Sequence, residues 1–170
     1  MGSNDKNAKE PLEKMVMSLI YGKIGDLMNK LEDKALESGF VLDRQPTKQG
    51  FLFSIRRGEH EIALGSIHVS SRRKERNIWV GLPKSTDLEH FGQFDGRKFV
   101  IIVDEINQHY VLLELLSIEK LRRFSSGRCF SVYWKDGTYK ASDGLVVLTF
   151  KPINEETELA EELYRFLPKL

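Results

Sequence analysis

A chain of 170 residues, 41% of them apolar and 30% charged, is one domain's worth of ordinary globular sequence, long enough to bury a core without disulfides or structural metals. A net charge of +1 excludes any grip on nucleic acid or membrane that relies on the charge of the whole chain, and the lone Cys129 excludes both an intrachain disulfide and a zinc site built on several cysteines. No apolar run is long enough to span a membrane and the polar start is unlike a signal sequence, so a single cytoplasmic domain over 1–170 is expected, with 1–10 a flexible tail and no membrane partner.

The first periodic element runs from about Leu12 to Glu37. Leu12, Met15, Val16, Leu19, Ile20, Ile24, Leu27, Met28, Leu31 and Ala35 recur at i, i+3, i+4, i+7 spacing, which makes one helix face apolar. Gly39 is placed to end this helix in a left-handed conformation, while Gly22 and Gly25 weaken it from inside. Strands follow: Phe40–Asp43, then Phe51–Arg57 paired in a hairpin with His60–Ser70. In the second of these, Ile62 and Leu64 differ in parity from Ile67 and Val69. A β-bulge at Gly65, at the switch, would keep all four on one core face. Ile78–Leu82, Phe99–Val103, Tyr110–Leu116, Arg128–Lys135 and Leu145–Phe150 continue the strands, with Phe99–Val103 apolar on both faces as a central strand is. Asp104-Glu105 starts one turn and Lys135–Thr138 forms another. Ser117 caps a short helix through Phe124, and Asn154 caps a last helix from about Glu155. The stretch Lys84–Gly96 reads as a loop anchored by Phe91 and Phe94. The expected fold class is therefore α+β: a long N-terminal helix, a mostly antiparallel twisted or barrel-like sheet, a short middle helix and a C-terminal helix.

Charge is distributed unevenly along this order. Residues 44–76 hold eight Lys or Arg against Glu59, Glu61 and Glu75, whereas 151–170 hold five Glu against three bases. Three basic stretches stand out. Arg56 and Arg57 end a strand; Arg72, Arg73, Lys74 and Arg76 lie between two strands; Arg122, Arg123 and Arg128 lie between a helix and a strand. The two longer stretches combine Arg with Ser and have an aromatic close by, a mixture that suits phosphate because Arg offers a bidentate fork and Ser a short donor. Ile78, Val80 and Leu82 claim the core side of their strand. Trp79 is thereby sent to the other, where it either stacks on a base or lies under a second layer.

Signatures of catalysis are scarce. There is no G-x-x-x-x-G-K-[ST], G-x-G-x-x-G, H-E-x-x-H or G-x-S-x-G, so nucleotide-dependent and serine-hydrolase chemistry have no support and no cofactor is expected. Glu59, Glu61 and His68 offer the alternative of a divalent-metal site on an outward strand face, competing with a plain solvated face. Cys129, between Arg128 and Phe130 in a strand-like run, reads as a small core hydrophobe.

The helix, the hairpin Phe51–Val69 and the later run "FDGRKFVIIVDEINQHYVLLELLSIEKL" resemble, in element order over about residues 12–124, the small PD-(D/E)XK endonuclease-like domains. That resemblance implies carboxylates on one hairpin strand and a Glu/Gln-x-Lys on its partner, to hold Mg²⁺ and orient the attacking water. Here Phe51 to Ile55 supply no carboxylate, and Gly65-Ser-Ile-His-Val69 puts Ser66 and His68 where an acid and a Lys belong. The motif is lost, so the resemblance implies recognition without cleavage. The expectation is a non-catalytic nucleic-acid-binding domain, DNA before RNA, of a restriction-like or mobile-element system. It would use Arg56, Arg57, Arg72, Arg73, Lys74, Arg76, Trp79, Arg122, Arg123 and Arg128. The alternatives are a metal-dependent nuclease using Glu59, Glu61 and His68, and an interaction domain forming a homodimer through the first helix.

Overall fold

The apolar stripe of the first predicted helix is realised over residues 24–37 (α1) of a computed structural model, which describes residues 24–47, 50–70, 77–81, 94–115, 129–142 and 147–167. Ile24, Leu27, Met28, Leu31 and Ala35 are all buried, as their spacing requires. Gly39, at φ 82°, ends the helix. Its N–H donates to the Leu36 carbonyl and the N–H of Phe40 to that of Ala35 at 2.8 Å, the paired bonds of a Schellman cap. The apolar face of α1 is spent inside the chain, so over these residues it is not the dimerisation surface that its pattern suggested. The part of the predicted helix before residue 24, and the predicted middle helix Ser117–Phe124, lie outside the described residues.

Nine strands follow among the described residues: β1 (Val41–Thr47), β2 (Gly50–Arg57), β3 (His60–Ser70), β4 (Asn77–Gly81), β5 (Arg97–Asp104), β6 (His109–Glu114), β7 (Cys129–Lys135), β8 (Thr138–Ser142) and β9 (Val147–Phe150), before the helix α2 (Glu156–Arg165). They build two sheets rather than a barrel. The first has the order β1-β2-β3-β5-β6 and the second β4-β7-β8-β9. All ladders are antiparallel except β3–β5, where the chain crosses to the second sheet and returns parallel. The β6 edge is closed by Ile153, which exchanges two backbone hydrogen bonds with Tyr110.

The layers follow from which faces are apolar. α1 and α2 pack on one face of the first sheet, burying Phe53, Ile55, Ala63, Ile67, Phe99, Ile101 and Val103 with the helical side chains. A second core lies between the sheets and holds Leu64, Val100, Ile102, Val111 and Leu113 from the first with Ile78, Val132, Tyr139 and Ala141 from the second. The central strand β5 is accordingly apolar on both faces, with Phe99 to Ile102 fully buried. Phe94 packs on the second core as an anchor, whereas Phe91 lies outside the described residues.

Burial on both faces also explains two departures from the sequence reading. The β2–β3 ladder runs unbroken through Gly65. Its irregularity falls where Ile55 pairs with Ala63 and Arg56 with Glu61, leaving Ile62 as the extra residue. Leu64 needs no bulge to reach apolar surroundings, because its own face meets the second sheet. Gly65 serves a different purpose: it sits across from Phe53, and a Cβ there would land in the Phe53 ring. At the C-terminal end α2 begins one residue later than expected. Glu155 occupies the cap without a side-chain hydrogen bond and Asn154 takes no part, while Glu156 and Glu158 lie in the first turn.

Candidate nucleic-acid interface on the second sheet

The residues singled out in the sequence fall into three places. Arg56 is committed locally: its Nε donates to Asp43 Oδ2 at 2.8 Å and its Nη1 to the Gly58 carbonyl. Arg57 lays its guanidinium over the Phe40 ring, 5.0 Å from the centroid. Both stand beside the β2–β3 turn. Arg72, Arg73, Lys74 and Arg76 lie outside the described residues, in the segment that joins Ser70, the last residue of β3, to Asn77, the first of β4. Arg122, Arg123 and Arg128 also lie outside them, just before β7 begins at Cys129. β4 and β7 are neighbours, with Asn77 opposite Tyr133 and Gly81 opposite Cys129. The two basic segments therefore join one ladder at its opposite ends, about 13 Å apart at the strand rise.

The face that this ladder turns away from the core is set by alternation. Ile78, Val132, Tyr139 and Ala141 point between the sheets, so Ser131, Tyr133, Lys135, Thr138, Lys140 and Thr149 lie on the outer side. Register puts Tyr133, Lys140 and Thr149 in one row across β7, β8 and β9, and Lys135 beside Thr138 in the next. Trp79 holds the position opposite Ser131, which is buried; the side chains of Trp79 and Cys129 lie outside the described ones. Lys135 is exposed and Lys140 half-buried, and neither has an ion-pair partner among the described residues. Asp136 is the one carboxylate among the described residues of this sheet.

Tyr133, Lys135 and Lys140 were missed in the sequence. The signal was present: alternation through Cys129–Lys135 fixes Val132 and Tyr133 on opposite faces, and the Asp136-Gly137 turn sets the pairing. Asp136 at φ 53° and Gly137 at φ 77° make the type I′ geometry that joins two strands directly and so carries the alternation into β8.

One end of this sheet abuts a buried polar cluster. Asp104, 2% exposed, closes β5 and accepts at Oδ1 from the backbone N–H groups of Ile106 and Asn107, fixing the turn into β6. Its Oδ2 takes the Asn107 amide at 2.8 Å and the Tyr139 hydroxyl at 2.6 Å, so a single carboxylate joins the two sheets. Because Tyr139 gives its proton to Asp104, its oxygen accepts from Nδ1–H of His109 at 3.1 Å, which fixes the imidazole tautomer by its network. Burial, then Asp104, pushes the Tyr139 hydroxyl well above the ordinary tyrosine range, so it stays protonated. Trp134 packs its ring 4.8 Å from His109 and 4.6 Å from Tyr139. Through these contacts the cluster holds the two sheets together.

Glu59, Glu61 and His68 do not converge. Glu59 lies in the β2–β3 turn and Glu61 just after it on β3, and His68 is seven residues along β3 from Glu61, about 23 Å at the strand rise. Among the described residues no three of His, Cys, Asp and Glu come together as metal ligands do. No described helix is long and apolar enough to cross a membrane. Comparison of the chain with protein-family models, with curated proteins and with solved structures finds no match.

Proposed function

We propose that this domain binds nucleic acid, DNA before RNA, through the outer face of the second sheet and the basic segments that lead into it, without cutting the bound strand. The supporting observation is topological. Of all the connections in the fold, the two most Arg-rich ones feed adjacent strands, β4 and β7; outward on β7 stand Tyr133 and Lys135, with Lys140 beside them on β8. Arg72, Arg73, Lys74, Arg76, Arg122, Arg123 and Arg128 hold phosphates in this reading, and Trp79 and Tyr133 supply ring faces. Arg56 and Arg57 contribute less, since Arg56 is already paired with Asp43 and Arg57 is laid against Phe40. A place in a restriction-like or mobile-element system belongs to the same proposal and rests on the sequence resemblance alone.

Each phosphate contact displaces condensed counterions, so affinity for a labelled oligonucleotide falls as salt rises, with a log–log slope of about −0.9 per contact on duplex or about −0.7 on a single strand. Replacing Arg72 and Arg73 together by Ala flattens that slope by roughly two contacts and leaves thermal stability within about 0.5 kcal/mol. An unchanged slope in the double variant removes these residues from the interface. Cleavage that requires Mg²⁺ or Mn²⁺ and disappears in Glu61→Ala or His68→Ala selects the nuclease instead.

A further inference from the structure

We infer that the outer face of the second sheet is a stacking platform for single-stranded nucleic acid, with Tyr133 under a base and Lys135 and Lys140 on the flanking phosphates; this rests on the binding reading above and specifies its substrate. The shape of the site decides between strand types. Duplex is read by an element that enters a groove, such as a helix or a narrow two-stranded ribbon. Tyr133 lies instead within a four-stranded sheet, with β4 on one side and β8 and β9 on the other, so its neighbours would meet the phosphate ridges before the ring reached a base. A base is available to such a ring only when its own face is free, as in a single strand.

The surroundings of Tyr133 fit that occupant. Its hydroxyl has no partner among the described residues, and the residue is half-buried. Lys140 stands directly across the ladder, about 5 Å away at the Cβ atoms, and Lys135 is the next outward residue on the same strand. Thr149 continues the row with a short hydroxyl donor. With Asp136 as the one described carboxylate of the sheet, the face favours an anion that also has flat apolar surfaces. The opposite side of the molecule has the contrary charge: α2 and the residue before it carry Glu155, Glu156, Glu158, Glu161 and Glu162.

The test uses the full chain and three fluorescent probes of equal length: an oligothymidylate, an oligouridylate and a mixed-sequence duplex. The expected result is tighter binding of a single strand than of duplex at equal salt. Tyr133→Ala should lower single-strand affinity by at least about fivefold, the low end for one lost stacking contact, while Tyr133→Phe retains it. Lys140→Ala, read independently in case the first variant fails to fold, should flatten the single-strand salt slope by about 0.7. Preference for duplex, or single-strand affinity and slope unchanged in folded Tyr133→Ala and Lys140→Ala, overturns the platform and leaves binding through the basic segments standing. Binding of none of the probes at low salt overturns both.

Discussion

Gly25 and Gly65 differ only in what surrounds their Cα atoms, and that difference sets the sign of the same substitution. Gly25 lies in the helical residues 24–37 with nothing within 4 Å of where a Cβ would stand, so Gly25→Ala adds helix propensity without contact and should stabilise by about 0.5–1 kcal/mol. Gly65 lies under the Phe53 ring and beside Phe99 in the ladder, both buried, so Gly65→Ala should destabilise by about 1–3 kcal/mol. Urea titration of the two variants separates the cases; a neutral Gly65→Ala would show that the ring moves aside freely. The Asp104 cluster makes a sharper demand. Tyr139→Phe keeps the ring packed against Trp134 but leaves Asp104 Oδ2 with one donor fewer and His109 Nδ1 without its partner. A cost of about 1–3 kcal/mol follows, roughly 2–12 °C in melting temperature for a chain of this size. A Phe variant as stable as the parent would mean that the cluster does not hold the sheets together.

At the level of elements, what could be read in advance was whatever depends on local periodicity. The apolar stripe of residues 24–37, its stop at Gly39, the hairpin of β2 and β3, the central character of β5 and the Asp136-Gly137 turn all follow from spacing or from a glycine that takes φ > 0 without steric cost. What could not be read depends on which faces have company. Leu64 is out of phase only for a single core; with a core on each side of the first sheet, both parities are apolar and the parity change marks a bulge at Ile62 instead. Barrel closure failed for the same reason, since a separate sheet covers the second face. Asn154 met the sequence rule for a helix cap, yet Ile153 is drawn into the β6 edge by two backbone bonds with Tyr110, and the helix starts after Glu155. The outward face of β7 and β8 was legible in principle, because alternation from Val132 names Tyr133 and Lys135.

Over the whole molecule, three tyrosines tie the layers together and make the fold sensitive to alkali. Tyr164 donates to the Leu31 carbonyl between the helices, Tyr110 donates to Glu156 of α2, and Tyr139 donates to Asp104 between the sheets. Burial is the main cause that raises all three, Tyr110 to about 12, with Glu156 adding to it there. The folded state thus keeps protons that the unfolded chain releases near pH 10, so their contribution is complete below about pH 10 and declines as pH rises towards 12 and beyond. The ammonium of Lys30, raised by its 2.7 Å pairing with Glu156, works in the same direction. The urea midpoint should fall as pH increases above about 10, in step with tyrosinate absorbance appearing on unfolding; a midpoint level through that range would contradict these assignments.

The proposed binding face carries Lys135 and Lys140 on β7 and β8, whereas α2 on the other side of the first sheet is acidic. Binding at that face is tested most directly by lysine acetylation footprinting, in which bound nucleic acid shields the amines that it covers. With saturating single-stranded oligonucleotide at low salt, Lys135 and Lys140 should be strongly protected, while Lys30, Lys34 and Lys151, on or facing the two helices, react as in the free protein. Protection of Lys30, Lys34 or Lys151 with Lys135 and Lys140 unaffected would place the contact on the helical side and contradict the account.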